Sequence, residues 1–137
     1  MTILERIILH KKQELEKARI KHPLKELEQS GFFSRETRSL SKAVANLDKS
    51  GIIAEFKRKS PSRGMINDQA LVEEVTTGYF RSGASGLSIL TDHEFFGGTN
   101  DDLSRARELN PIPILRKDFI IDEYQILEAR AIGADAI

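Results

Sequence analysis

The stretch Ile52-Ile53-Ala54-Glu55-Phe56-Lys57-Arg58-Lys59-Ser60-Pro61-Ser62-Arg63 starts as an apolar run and turns charged within three residues. Read as a strand over 52–57, it puts Ile53, Glu55 and Lys57 on one face and Ala54 and Phe56 on the other. Opposite charges on an otherwise apolar face are costly unless paired or needed. Glu55 and Lys57 therefore mark a strand end with a site beyond it. Ser60, Pro61, Ser62 and Gly64 follow as a loop whose hydroxyls and backbone N–H groups suit an anion.

The same texture recurs down the chain. Strands are predicted at 86–91, at 112–116 (continuing toward Phe119) and from 134 to 137. Between them the apolar spacing predicts three helices. One opens at Asp68, carries Leu71, Val72, Val75, Tyr79 and Phe80, and closes near Gly83. The second opens near Thr99 or Asn100, with Asp101 and Asp102 in its positively polarised first turn, and stops at Asn110-Pro111. The third is capped by Asp122, carries Tyr124, Ile126, Leu127 and Ala131, and ends at Gly133. Strand starts at 52, 86, 112 and 134 repeat about every thirty residues, the length of one strand–helix unit. Parallel strands with right-handed crossovers follow, in an α/β class. Eight such units need about 250 residues, so 137 residues hold half of a (β/α)8 barrel. We expect a truncated half-barrel of about three and a half βα units over residues 51–137. The chain stops inside an apolar run, which reads as a fragment ending within its fourth strand.

Residues 1–50 read as a helical extension. Ile3, Leu4, Ile7, Ile8, Leu15 and Ala18 fall loosely on one helix side, broken by Lys11 and Lys12. His22-Pro23 ends that helix and Pro23 opens a short one over 24–29, closed by Gly31. A third is expected over 39–47.

Lys plus Arg equal Asp plus Glu at 21 each, so no charge excess points to nucleic acid or an anionic membrane. With no cysteine, disulfides, thiolate metal sites and cysteine nucleophiles are excluded. His10, His22 and His93 have no metal-ligand spacing. No run is long enough to span a membrane, and the composition reads as cytoplasmic.

Sites in parallel α/β folds form beyond the carboxyl ends of the strands. Glu55, Lys57, Ser60 and Pro61 follow the first strand. Thr91, Asp92, Phe95, Phe96 and Gly97-Gly98 follow the second, and Lys117, Asp118 and Phe119 the third. Alternation points Lys117 inward with Leu115 and Phe119. Each has a plainer reading: a strand-end lysine is usually a solvated charge, Glu55 a salt-bridge partner, and Phe95 and Phe96 packing residues. Their coincidence at one end of successive strands suits an anionic substrate with an aromatic part.

The runs Ile53–Ser62, Leu90-Thr91-Asp92 with Phe95–Thr99, Pro113–Asp122 with Tyr124-Gln125-Ile126, and Gly133–Ala136 resemble the first four strand regions of indole-3-glycerol phosphate synthases. The N-terminal helices match that family's extension. The resemblance implies a (β/α)8 TIM barrel and a lyase of tryptophan biosynthesis. Such an enzyme closes the indole ring of a carboxyphenylamino deoxyribulose phosphate with loss of carbon dioxide and water, using no cofactor or metal. It implies Lys117 as general acid, Lys57 near the phosphate and carboxylate, and Glu55 orienting the lysines. Ser60 and Pro61 bind substrate, and Phe96 and Phe119 wall the ring. The family's later acidic residue and phosphate loops are not in this sequence, so the fragment alone is expected to be inactive and to self-associate through exposed strand edges. The alternatives are a related phosphosugar barrel such as phosphoribosylanthranilate isomerase, or a non-catalytic phosphate-binding or assembly module.

Overall fold

The computed structural model describes residues 1–137. In chain order the elements are α1 (Ile3–Lys21), α2 (Leu24–Glu28), α3 (Leu40–Ala45), β1 (Ile53–Phe56), β2 (Lys59–Ser60), β3 (Gly64–Met65), α4 (Val72–Arg81), β4 (Gly86–Leu90), α5 (Asn100–Leu109), β5 (Ile114–Lys117) and α6 (Glu123–Ile132).

Short polar side chains set most helix starts. Thr2 and Glu5 form a reciprocal capping box on α1, each side chain accepting the other's backbone N–H. Thr99 accepts the Asp102 N–H at 3.0 Å and Asp122 the Tyr124 N–H at 2.8 Å, as their sequence positions predict. Gly133, at φ 102°, closes α6 in the left-handed region, and a Cβ there would stand 2.6 Å from Arg107 Cγ. One helix start differs from expectation. The Asn67 side chain accepts the N–H groups of Gln69 and Ala70, and this turn keeps Asp68 outside α4, which begins at Val72. The first loop also contains a small antiparallel hairpin, β2 with β3, turned at 61–63 with Gly64 (φ 64°) opening β3, where the sequence suggested only a loop.

Strands β1, β4 and β5 pair in parallel in that order. The register sets Ala54 beside Leu87 and Leu87 beside Ile114; Phe56, Ile89 and Arg116 form the next row on the same face. That face packs against α4 and α5, where Leu87, Ile89, Ile114, Leu103 and Ala106 are fully buried. Each such aliphatic side chain contributes about 1.5–3 kcal/mol on burial. Beyond β5, Ala136 forms a parallel bridge to Leu115, and the Arg116 N–H donates to its carbonyl at 2.9 Å. This single bridge lies within 134–137, where the repeat predicts a fourth strand. On the opposite face Ile53 is 42% exposed. These units are the α/β beginnings of a barrel.

The extension is fastened to this sheet at both ends. Leu15 and Leu27 join Tyr124 and Ala131 of α6 in a second core. The Tyr124 hydroxyl donates to the carbonyls of His22 (2.8 Å) and Ala18 (3.2 Å), and burial lifts its pKa to about 12, so it stays a donor. At the amino ends of the strands, Leu40 of α3 sits so close to Gly86 that a Cβ there would meet it at 2.5 Å. Asp135, its carboxylate fully buried, takes Arg107 at 2.5 Å and Arg35 at 2.9 Å, and also accepts the N–H groups of Arg38 and Ile114. Burial pushes Arg107 down to about 10, but it remains charged at neutral pH.

Ile89→Ala should lower unfolding free energy by about 2–5 kcal/mol with a single cooperative transition, measured by urea denaturation. A loss under 1 kcal/mol would show that the row facing the helices is not the core.

Candidate functional site at the carboxyl ends of the strands

The same register that buries Leu87 and Ile89 turns Glu55, Ser88 and Leu115 to the other face, with Leu90 beside Lys117 one step later. Glu55 reaches upward between two lysines. Its Oε1 lies 3.7 Å from Lys117 Nζ and its Oε2 lies 3.9 Å from Lys57 Nζ. The Ser88 hydroxyl donates to Glu55 Oε1 at 3.1 Å, fixing the carboxylate from below. Both pairs are longer than a charge-assisted hydrogen bond, so the attraction is Coulombic and neither ammonium spends an N–H on the chain. Both remain available to a ligand, and Lys117 is 58% exposed.

Two aromatic rings come from the loops after β4 and β5. The Phe96 and Phe119 rings face each other at 6.0 Å, tilted by 40°. Phe95 turns away and meets His10 of α1 edge-on at 5.7 Å. The loop holding Phe96 is wound tightly: Gly97 and Gly98 donate their N–H groups to His93 and Asp92, each at 2.8 Å. A Cβ on Gly98 would fall 2.0 Å from the Leu90 carbonyl oxygen, so only glycine fits.

The first loop is held down at its base. Arg58 forms a two-pronged pair with Asp102 in the first turn of α5, one prong at 3.1 Å, and its guanidinium covers the Phe56 ring at 4.8 Å. Ser60 is buried, and its hydroxyl accepts the Arg63 N–H at 3.2 Å with Ser62 Oγ at 3.4 Å. Pro61 is exposed on the hairpin turn. Glu55 thus meets Lys57 and Lys117, and Phe96 meets Phe119, whereas the Ser60 hydroxyl serves its own loop.

The sequence reading passed over a further group. Lys11 of α1 is only 1% exposed, and its ammonium lies 2.6 Å from Glu14, 2.8 Å from Asp92 Oδ1 and 3.0 Å from Asp118. The Asp92 approach is too oblique for a directed hydrogen bond, so it is an ion contact. Burial presses the Lys11 pKa down, but Asp118, Asp92 and Glu14 more than offset it and hold it above the ordinary lysine value. Asp118 also accepts the Thr91 hydroxyl at 2.6 Å, and Arg116 donates to Thr91 at 3.0 Å and to Glu128 at 2.6 Å. No three His, Asp or Glu side chains are grouped to hold a metal ion, and no helix is long and apolar enough to cross a membrane.

Comparison with known proteins gives the arrangement a family. Residues 4–137 match the sequence family described as indole-3-glycerol phosphate synthase. The chain is 47% identical over 135 residues to the indole-3-glycerol phosphate synthase of Bacteroides thetaiotaomicron, covering 98% of this chain and 52% of that protein. It is 41% identical over 138 residues to the Bordetella pertussis protein of the same name, covering 98% and 53%. The chain spans about half the length of these curated relatives.

Gly98→Ala should cost about 1–3 kcal/mol of stability and move the Phe96 loop. Amide spectra should shift at Phe96 and Phe119, while Gly31→Ala, which meets nothing within 4 Å, should shift neither. Equal spectra for the two variants would contradict the tight-loop account.

Proposed function

The chain belongs to the indole-3-glycerol phosphate synthase family, and from that premise we propose that its strand ends form the first half of an indole-closing site. The substrate is 1-(2-carboxyphenylamino)-1-deoxyribulose 5-phosphate, an anion with an aromatic ring. The observation that carries the reading is the Glu55 carboxylate lying between the two unspent ammonium groups of Lys57 and Lys117.

In this reading the anthranilate ring lies against Phe96 and Phe119, with its carboxylate and the phosphate drawn toward Lys57. The ring carbon bearing the carboxylate attacks the ketone carbon. Lys117 gives the ketone oxygen a proton as the new carbon–carbon bond forms. The bond to carbon dioxide then breaks, and its electron pair restores the aromatic sextet. The new hydroxyl leaves as water, and loss of a proton completes the indole. Glu55 keeps both ammonium groups aimed, and Ser88 keeps Glu55 in place. Much of the rate comes from holding ring and ketone together, since decarboxylation follows once the carbon–carbon bond exists. Ser60 and Pro61 belong to this proposal through the shape of the hairpin more than through the Ser60 hydroxyl, which its own loop engages.

Residues 1–50 serve as the helical extension and 51–137 as the first barrel half. A balanced net charge supports a small-molecule partner over nucleic acid, and a cytoplasmic enzyme. The open strand edge of β1 supports association with a second polypeptide or another copy.

The 137-residue chain alone should give no indole fluorescence with this substrate. It should gain turnover when mixed with a polypeptide covering the remaining half of the relatives' length. In that mixture Lys117→Ala should reduce kcat by about 10²–10⁴-fold. Turnover that survives the substitution would refute Lys117 as the acid.

A further inference from the structure

We propose that Lys11 of α1 is a positioning residue for the site: its buried ammonium ties the loop after β4 to the loop after β5, and thereby sets the aim of Lys117 and the gap between Phe96 and Phe119. The inference rests on the indole-closing reading for its catalytic consequence, but not for its structural one.

Each aspartate gripped by Lys11 has a second task on its own loop. Asp92 Oδ2 accepts the Phe95 N–H at 2.8 Å, next to the wall residue Phe96. Asp118 Oδ1 accepts the Phe119 N–H at 2.7 Å, and its other oxygen takes the Thr91 hydroxyl at the end of β4. One cation therefore has backbone links to both aromatic walls. Asp118 also follows Lys117 directly, and alternation sends their side chains to opposite sides of the sheet. Pinning Asp118 against α1 fixes the backbone from which Lys117 projects inward.

No other cation is free to replace it. Arg116 comes within 3.9 Å of Asp118, but its guanidinium is already spent on Thr91, Asn100, Gln125 and Glu128. Without Lys11, Asp92 would be a fully buried carboxylate with no counter-charge and Asp118 would keep only the distant Arg116, and the loops would part to admit water. Docking of α1 itself does not need this cation, because Leu15, Leu27, Tyr124 and Ala131 already pack there. The ammonium's particular contribution is to the loops.

Amide hydrogen exchange in the 137-residue chain tests this directly. Lys11→Met should speed exchange at Phe95 and Phe119 by about tenfold or more while leaving Ile89 in β4 unchanged. Lys11→Arg should bring both amides back toward the original rates. Should the methionine variant fail to fold, Lys11→Gln, which removes the charge but keeps a donor, gives the same comparison. Unchanged exchange at both amides, or acceleration that includes Ile89 equally, would overturn the proposal. In the complemented assay Lys11→Met should also lower kcat at least tenfold with Lys11→Arg partly restoring it; a wild-type kcat would overturn the effect on Lys117. If the unsubstituted mixture shows no turnover, the reaction assignment falls and the exchange experiment still decides the role of Lys11.

Discussion

Parallel pairing locks Phe56 beside Ile89 and Ile89 beside Arg116, and that register leaves Glu55, Lys57 and Lys117 no choice of face. A slip of one residue in β1 would turn Phe56 out of the core and carry Glu55 into it. The apolar rows that stabilise the sheet and the charged row that forms the site are thus one decision. Leu87 and Ile89 hold the strands to α4 and α5, and Ser88, the residue between them, meets Glu55.

The charged groups divide into three kinds by their surroundings. Asp135 at the amino ends of the strands, with Arg107 and Arg35, is fully buried and fully engaged, and it closes the extension onto the fold. The Lys11 cluster at the opposite end is equally buried, but its aspartates also hold the loops after β4 and β5. Glu55 with Lys57 and Lys117 is half open and loosely paired. Buried ion pairs seldom add net stability over well-packed apolar groups, and removing one partner is costly. Their value here is geometric. They fix where loops leave the strands, while the open triad leaves its ammonium donors unspent.

Much of this was legible in the residues themselves. Thr99, Asp122 and Gly133 announce helix ends through local chemistry, and alternation at 55, 57 and 117 suffices to bring the three side chains together. What escaped depends on partners distant in sequence. Lys11 looks like a break in an apolar stripe, yet it sits four residues from both Ile7 and Leu15, on their side of the helix. A lysine on a buried stripe implies a carboxylate opposite it; only the fold reveals that Asp92 and Asp118 supply it. The late start of α4 was readable in principle, because Asn67 can hold its own turn. Arg58 had no role assigned from the sequence, and alternation places it over Phe56 and toward Asp102.

The most direct test is a crystal structure of the complemented protein with a substrate analogue whose ketone is reduced to an alcohol. The account predicts Lys117 Nζ within hydrogen-bond distance of that alcohol oxygen, with the aromatic ring between Phe96 and Phe119. An analogue bound with its alcohol on the far side of the sheet from Lys117, or with its ring outside the two phenylalanines, would contradict it.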